Sequence, residues 1–228
     1  MNYNEILVFI HIPKNAGTFI KYLIKNINNP RFISFNELNL NEKVEYKKLL
    51  IHSNPMELSV VKQYTKYKTF CVLRDPIERI VSCYKWILSE YEDDKKRKVP
   101  ERRRRINTKT HSYILNRGIS FNEFVKLIPD ILNNTKPGYN NLKWHLEHQY
   151  KQIEGVDHII LIKNLNEELP KLLELYNIEY NKEDFELEIN KTNNNKIDID
   201  EESKKIIETI YKEDFLIFNT RSIISNIS

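Results

Sequence analysis

The chain has 228 residues, 40% of them hydrophobic and 30% charged, with a formal net charge of +4. That length fills one sizeable core, and the composition excludes both a disordered chain and a uniformly basic coat for nucleic acid. The charge is uneven: KKRKVPERRRR, residues 95–105, carries eight Lys or Arg against one Glu, or +7, which leaves −3 (+4 minus +7) for the remainder. Cys71 and Cys83 are too few for a disulfide framework and read as buried free thiols. No apolar run approaches transmembrane length and no basic leader opens the chain, so a soluble cytoplasmic or otherwise intracellular protein is expected.

EILVFI, residues 5–10, is a continuous apolar run of the kind a buried parallel strand shows. Phe19, Leu23 and Ile27 then fall four apart, which predicts a helix over 17–27. RFISF (31–35) reads as a second strand and KKLLIHS (47–53) as a third, with Pro55 opening a helix. KTFCVLR (68–74) is a fourth strand. It ends in Asp75-Pro76, a cap residue followed by a proline suited to the first helical position. Ile77, Ile80, Val81, Tyr84, Ile87 and Leu88 continue at helical spacing.

Residues 92–109 lack periodicity and read as an exposed basic loop or insertion. Helices are expected near 110–117, 120–132 and 140–151. DHIILIKNL (157–165) is a last strand, followed by a helix to about 176 and a final helix over 200–212. Strands alternating with helices predict a single α/β domain over 1–228, with a central parallel sheet flanked by helices.

In such sheets ligands bind beyond the carboxyl ends of the strands. The stretch HIPKNAGTFI (11–20) lies there, and it holds the chain's only alanine, Ala16, beside Gly17, one of four glycines. A helix N-terminus attracts phosphate or sulfate, and small residues let the backbone approach an anion. Lys14 adds charge and Thr18 a hydroxyl; the other reading is an ordinary strand-to-helix turn. The loop is P-loop-like but not a Walker A sequence, because Lys14 precedes the glycine. Arg74 ends a strand on the same rim, and Ser82 follows two turns into the next helix. Together they suit a second anion, whereas an Arg74–Asp75 pair is the plainer alternative.

HIPKNAGTF and RDPIERIVSCY together resemble the sulfotransferases that use 3′-phosphoadenosine 5′-phosphosulfate (PAPS), most closely the carbohydrate group that includes heparan sulfate 2-O-sulfotransferase. SFNEFV (120–125), HLEHQ (145–149), NKT (190–192) and YKEDFLIF (211–218) fit in the same order. The resemblance implies that Lys14, Asn15, Ala16, Gly17 and Thr18 hold the 5′ end of the cofactor, and Arg74 and Ser82 its 3′-phosphate. Thr192 and Lys196 fall where the family closes a loop over the nucleotide. Two departures are Phe19, where the family has a small hydroxyl residue, and Lys163, where many relatives have Glu. The product would be adenosine 3′,5′-bisphosphate.

Sulfuryl transfer to an alcohol needs an in-line acceptor, a base, and stabilisation of the leaving phosphate, which Lys14 supplies. His52 is the expected base: it ends a predicted strand on the rim, its pKa suits neutral pH, and the resembled family uses a histidine there. A strand-end histidine bonded to a carbonyl is the alternative. His145 is the second candidate; its HxxxQ spacing to Gln149 puts both on one helix face, toward the acceptor. His11 is expected to support the loop, His148 and His158 to pack or face solvent, and His111 has no assignment. No carboxylate cluster has metal-ligand spacing, so no metal is expected.

The basic run either attracts an anionic glycan acceptor or is a solvated loop. It lacks the interleaved aromatics of a nucleic-acid site. The sequence thus predicts a PAPS-dependent O-sulfotransferase acting on a carbohydrate hydroxyl. The rivals are a nucleotide-dependent phosphotransferase with a variant P-loop, a nucleic-acid module using 95–105, and a degenerate sulfotransferase that binds nucleotide without turnover.

Overall fold

A computed structural model describes residues 6–34, 67–96, 118–133, 140–185 and 197–225. The predicted strand at 47–53 with His52, the helix at 110–117 with His111, most of the basic run, and NKT with Thr192 and Lys196 lie outside the described residues. The chain divides into two compact units. One comprises Met1–Arg74, Gln149–Lys191 and Ile217–Ser228; the other comprises Asp75–His148 and Thr192–Leu216. Each is built from separated segments, which is why no linker marks a boundary in the sequence.

The first unit holds a four-stranded sheet made of β1 (Ile6–Phe9), β2 (Phe32–Ser34), β3 (Tyr67–Leu73) and β4 (His158–Leu161). Its order is β2-β1-β3-β4 and every pairing is parallel. The continuous apolar runs follow from burial on both faces. Leu7, Phe9, Phe32, Phe70, Val72 and Ile160 point to one face, against α1 (Gly17–Ile27) and α5 (Leu165–Leu175). Val8, Ile10, Cys71, Leu73 and Leu161 point to the other, where Ile153, Val156, Ile217 and Phe218 pack on them. Period-two alternation of side chains sorts the two sets. Burial pushes the Cys71 thiol up, so it stays protonated.

β4 is shorter than the predicted 157–165, because a single 3-10 turn, Ile162–Asn164, takes over after Leu161. α5 follows directly, and the Asn164 amide before it donates to the Glu168 side chain at 2.7 Å.

The second unit is helical. It contains α2 (Pro76–Lys96), α3 (Phe121–Asn133), α4 (Asn140–Leu146) and α6 (Glu201–Ile210), together with the start of α7 (Lys212–Ser225). Asp75 caps α2 as its sequence implies, accepting from the Glu78 amide at 3.0 Å. SFNE proves to be a capping box: the Ser120 amide donates to Glu123 Oε2 at 2.7 Å, and Ser120 Oγ accepts from the Glu123 amide at 3.3 Å. The predicted final helix is broken at Tyr211, whose buried hydroxyl donates to the Leu146 carbonyl at 2.7 Å.

The predicted helix over 140–151 stops at Leu146. Arg79, fully buried on α2, donates to the carbonyls of His145 (3.2 Å), Leu146 (3.5 Å) and Glu147 (2.8 Å). It satisfies the acceptors that a helix end leaves open and so terminates α4. Its guanidinium also lies 5.4 Å from the centre of the Tyr211 ring. Among the described residues, no helix is long and apolar enough to cross a membrane.

Candidate anion-binding site at the sheet's carboxyl edge

The strand order places a topological switch between β1 and β3. From β1 the chain goes to β2 on one side, and β3 leads to β4 on the other. The loop after β1 and the end of β3 therefore meet at the crevice where open α/β sheets bind ligands. Both belong to the first unit.

Two non-glycine residues of the loop lie in the left-handed region, Lys14 at φ 70° and Ala16 at φ 58°. Such conformations cost on the order of 1 kcal/mol each and gather at functional sites. Ala16 is the N-cap of α1; no side chain caps this end and no acidic residue occupies the first turn. The first helical bond runs from the Ile20 amide to the Ala16 carbonyl at 3.0 Å. The amides ahead of it thus lack intrahelical acceptors, and the left-to-right-handed step at Ala16–Gly17 is a backbone geometry suited to an anion. Lys14 is half-buried and Thr18 exposed.

Gly17 has a different explanation from the one its position suggests. A Cβ built there would stand 2.0 Å from Nε2 and 2.2 Å from Cδ2 of His11. The missing side chain makes room for the histidine ring. His11 is itself lowered to about 4 by burial first, and then by the charges of Lys21 and Lys14, so it is neutral at neutral pH. It supports the loop without adding charge.

Asn15 is fully buried, and both hydrogens of its amide go to protein acceptors, the Val72 carbonyl at 2.7 Å and Gln149 Oε1 at 2.5 Å. Gln149 in turn accepts from the Arg74 amide at 3.1 Å and donates to the Arg74 carbonyl at 2.9 Å. Beyond this clamp the Arg74 side chain returns to the loop, and its Nη1 donates to the Lys14 carbonyl at 3.4 Å. Lys14 and Arg74 are thereby brought together at one edge.

Because α4 ends early, Gln149 is not on one helix face with His145. His145 belongs to the second unit, where its ring centre lies 4.1 Å from that of Trp86 and 4.9 Å from that of Trp144. His148 packs beside Tyr211 with ring centres 5.2 Å apart. His158 shares a 2.7 Å hydrogen bond with the Tyr176 hydroxyl. Ser82 is buried on α2, and Phe19 is a core residue set edge-on to Phe185 at 6.3 Å. Lys163 is exposed. Among the described residues, no group of three or more His, Cys, Asp or Glu is placed to hold a metal ion.

Sequence reasoning passed over Arg79, although it carries a signal: spaced four before buried Cys83, it occupies an inward position of an amphipathic helix.

A sulfotransferase family model matches residues 1–219. The chain belongs to the sulfotransferase family. No curated protein matches it. The parallel sheet with its flanking helices is the α/β arrangement expected of a sulfotransferase, and the family makes the chain a transferase of sulfuryl groups. Within this sulfotransferase the first motif on which the resemblance rests forms the loop after β1, and the second runs from Arg74, just past β3, into α2.

Proposed function

We propose that the protein transfers the sulfuryl group of PAPS to a hydroxyl of a carbohydrate, as in the heparan sulfate 2-O-sulfotransferase-like group. The observation that supports this reading is the hydrogen bond by which the Arg74 guanidinium reaches the main-chain carbonyl of Lys14 at the switch point, beside the uncapped end of α1. An ammonium, a guanidinium and a row of helix amides suit a nucleotide with anions at both ends. When bound, the nucleotide supplies an activated sulfuryl group whose leaving group is a phosphate.

Lys14 balances the charge that grows on the leaving oxygen, and the α1 amides orient the 5′ end. His52 takes the acceptor's proton. Arg74 receives the 3′-phosphate, and on sequence grounds Ser82, Thr192 and Lys196 complete the nucleotide's set. The basic run at 95–105 draws in an anionic glycan. A variant-P-loop phosphotransferase is disfavoured by the family and by the position of Lys14 ahead of the glycine.

Titration calorimetry with adenosine 3′,5′-bisphosphate and ATP tests the cofactor. The bisphosphate should bind at least tenfold tighter, and the reverse preference refutes the proposal. With labelled PAPS and a panel of glycan acceptors, Lys14→Ala and His52→Ala should each abolish turnover. His52→Ala should leave bisphosphate affinity within about twofold; full activity in that variant would remove His52 as the base.

A further inference from the structure

β3 runs past the strand that pairs with it. On the β1 side, the Phe70 carbonyl receives the Ile10 amide at 2.8 Å, the last main-chain bond before β1 turns into its loop. Further along lie the Val72 carbonyl, near the end of β3, and the Arg74 carbonyl, just past it. Val72 receives the Asn15 side-chain amide at 2.7 Å, and Arg74 receives the Gln149 side-chain amide at 2.9 Å. Gln149 also accepts the Arg74 amide at 3.1 Å, and the two side chains bond each other at 2.5 Å. Two amide side chains thus take the main-chain groups of Val72 and Arg74 that no described strand pairs on this side.

Gln149 is 2% exposed, so this pairing is shielded from water. An amide that bonds both backbone groups of one residue fixes that residue's orientation as a neighbouring strand would. Here the residue so held is Arg74, whose side chain reaches the Lys14 carbonyl. Through Asn15 the same amide is tied to the anion loop.

We infer that Gln149 is a positioning residue that sets the spacing between the loop of Lys14 and the guanidinium of Arg74, and so selects ligands with two anionic groups over ligands with one. The inference rests on reading this edge as the nucleotide site. A ligand gripped at both ends gains from correct spacing, whereas a ligand gripped at one end is indifferent to it.

Titration calorimetry should compare adenosine 3′,5′-bisphosphate, adenosine 5′-monophosphate and adenosine 3′-monophosphate on the wild type, Gln149→Met and Gln149→Asn. Methionine keeps the length without the bonds; asparagine keeps the amide but cannot span both groups. The wild type should prefer the bisphosphate, and each folded variant should lose about tenfold or more of that preference while monophosphate affinities shift less than about threefold. A purely structural residue would leave the ratio unchanged. A wild-type preference that survives in the variants overturns the inference alone; a wild type without the preference overturns the functional reading and the inference with it. In the unmodified protein, the Arg74 amide should exchange with solvent about a hundredfold or more slower than an open amide. Exchange at the open rate also overturns the inference.

Discussion

Gly17→Ala separates two reasons for a glycine at the head of α1. In the folded protein the new Cβ would meet three atoms of the His11 ring, at 2.0, 2.2 and 3.0 Å. Ordinary contact is about 3.5–4.0 Å, so the ring must move by more than about 1 Å. It is half-buried and packed 5.9 Å from the Phe9 ring centre, so it cannot swing out without loss. Overpacking of this kind costs about 1–3 kcal/mol, and the better helix propensity of alanine returns up to about 1 kcal/mol. The net loss of about 1–2 kcal/mol lowers Tm by about 2–8 °C in a chain of this size. Thermal melts by circular dichroism, without nucleotide, should show that drop. His11→Ala combined with Gly17→Ala should recover part of it, giving a favourable coupling of about 1 kcal/mol or more. Wild-type stability in Gly17→Ala together with lost nucleotide binding would refute the reasoning and return Gly17 to the ligand. A strictly additive double variant would refute it as well.

His11 also makes stability depend on pH. Its folded pKa, about 4, lies below the ordinary 6.5, so the unfolded chain binds the proton more readily between these values. Stability should fall as pH drops from 6.5 toward 4, by about 3 kcal/mol in all from this group, and level off below. Denaturant titrations across that window should show a shallower fall in His11→Gln than in the wild type; equal slopes would contradict the assignment. Arg79→Met should cost about 2–3 kcal/mol, because the His145 and Glu147 carbonyls at the end of α4 lose their donor and the Leu146 carbonyl keeps only the Tyr211 hydroxyl. Urea unfolding measures it, and a loss below about 1 kcal/mol would show that water replaces the guanidinium.

Much of this molecule is readable residue by residue. EILVFI and KTFCVLR announce strands buried on both faces, because continuous apolar character suits nothing else so short between helices. Asp75-Pro76 announces α2, and SFNE, in retrospect, announces α3, because a cap needs only neighbours three residues away. Those signals are local, and the physics behind them is local too. The motifs around Lys14 and Arg74 were legible for the same reason, each being a compact stretch at a strand end.

What the sequence leaves open involves partners far along the chain. The end of α4 depends on Arg79, 67 residues before Leu146, and the orientation of Arg74 depends on Gln149, 75 residues after it. That a side chain at Gly17 would meet the His11 ring is likewise visible only in the fold. The switch between β1 and β3, which brings the loop of Lys14 and Arg74 to one edge, is a property of strand order alone. Composition and periodicity specify which segments become strands and helices. Only the packed chain decides which backbone groups those segments leave without a neighbour, and therefore which side chains must complete them.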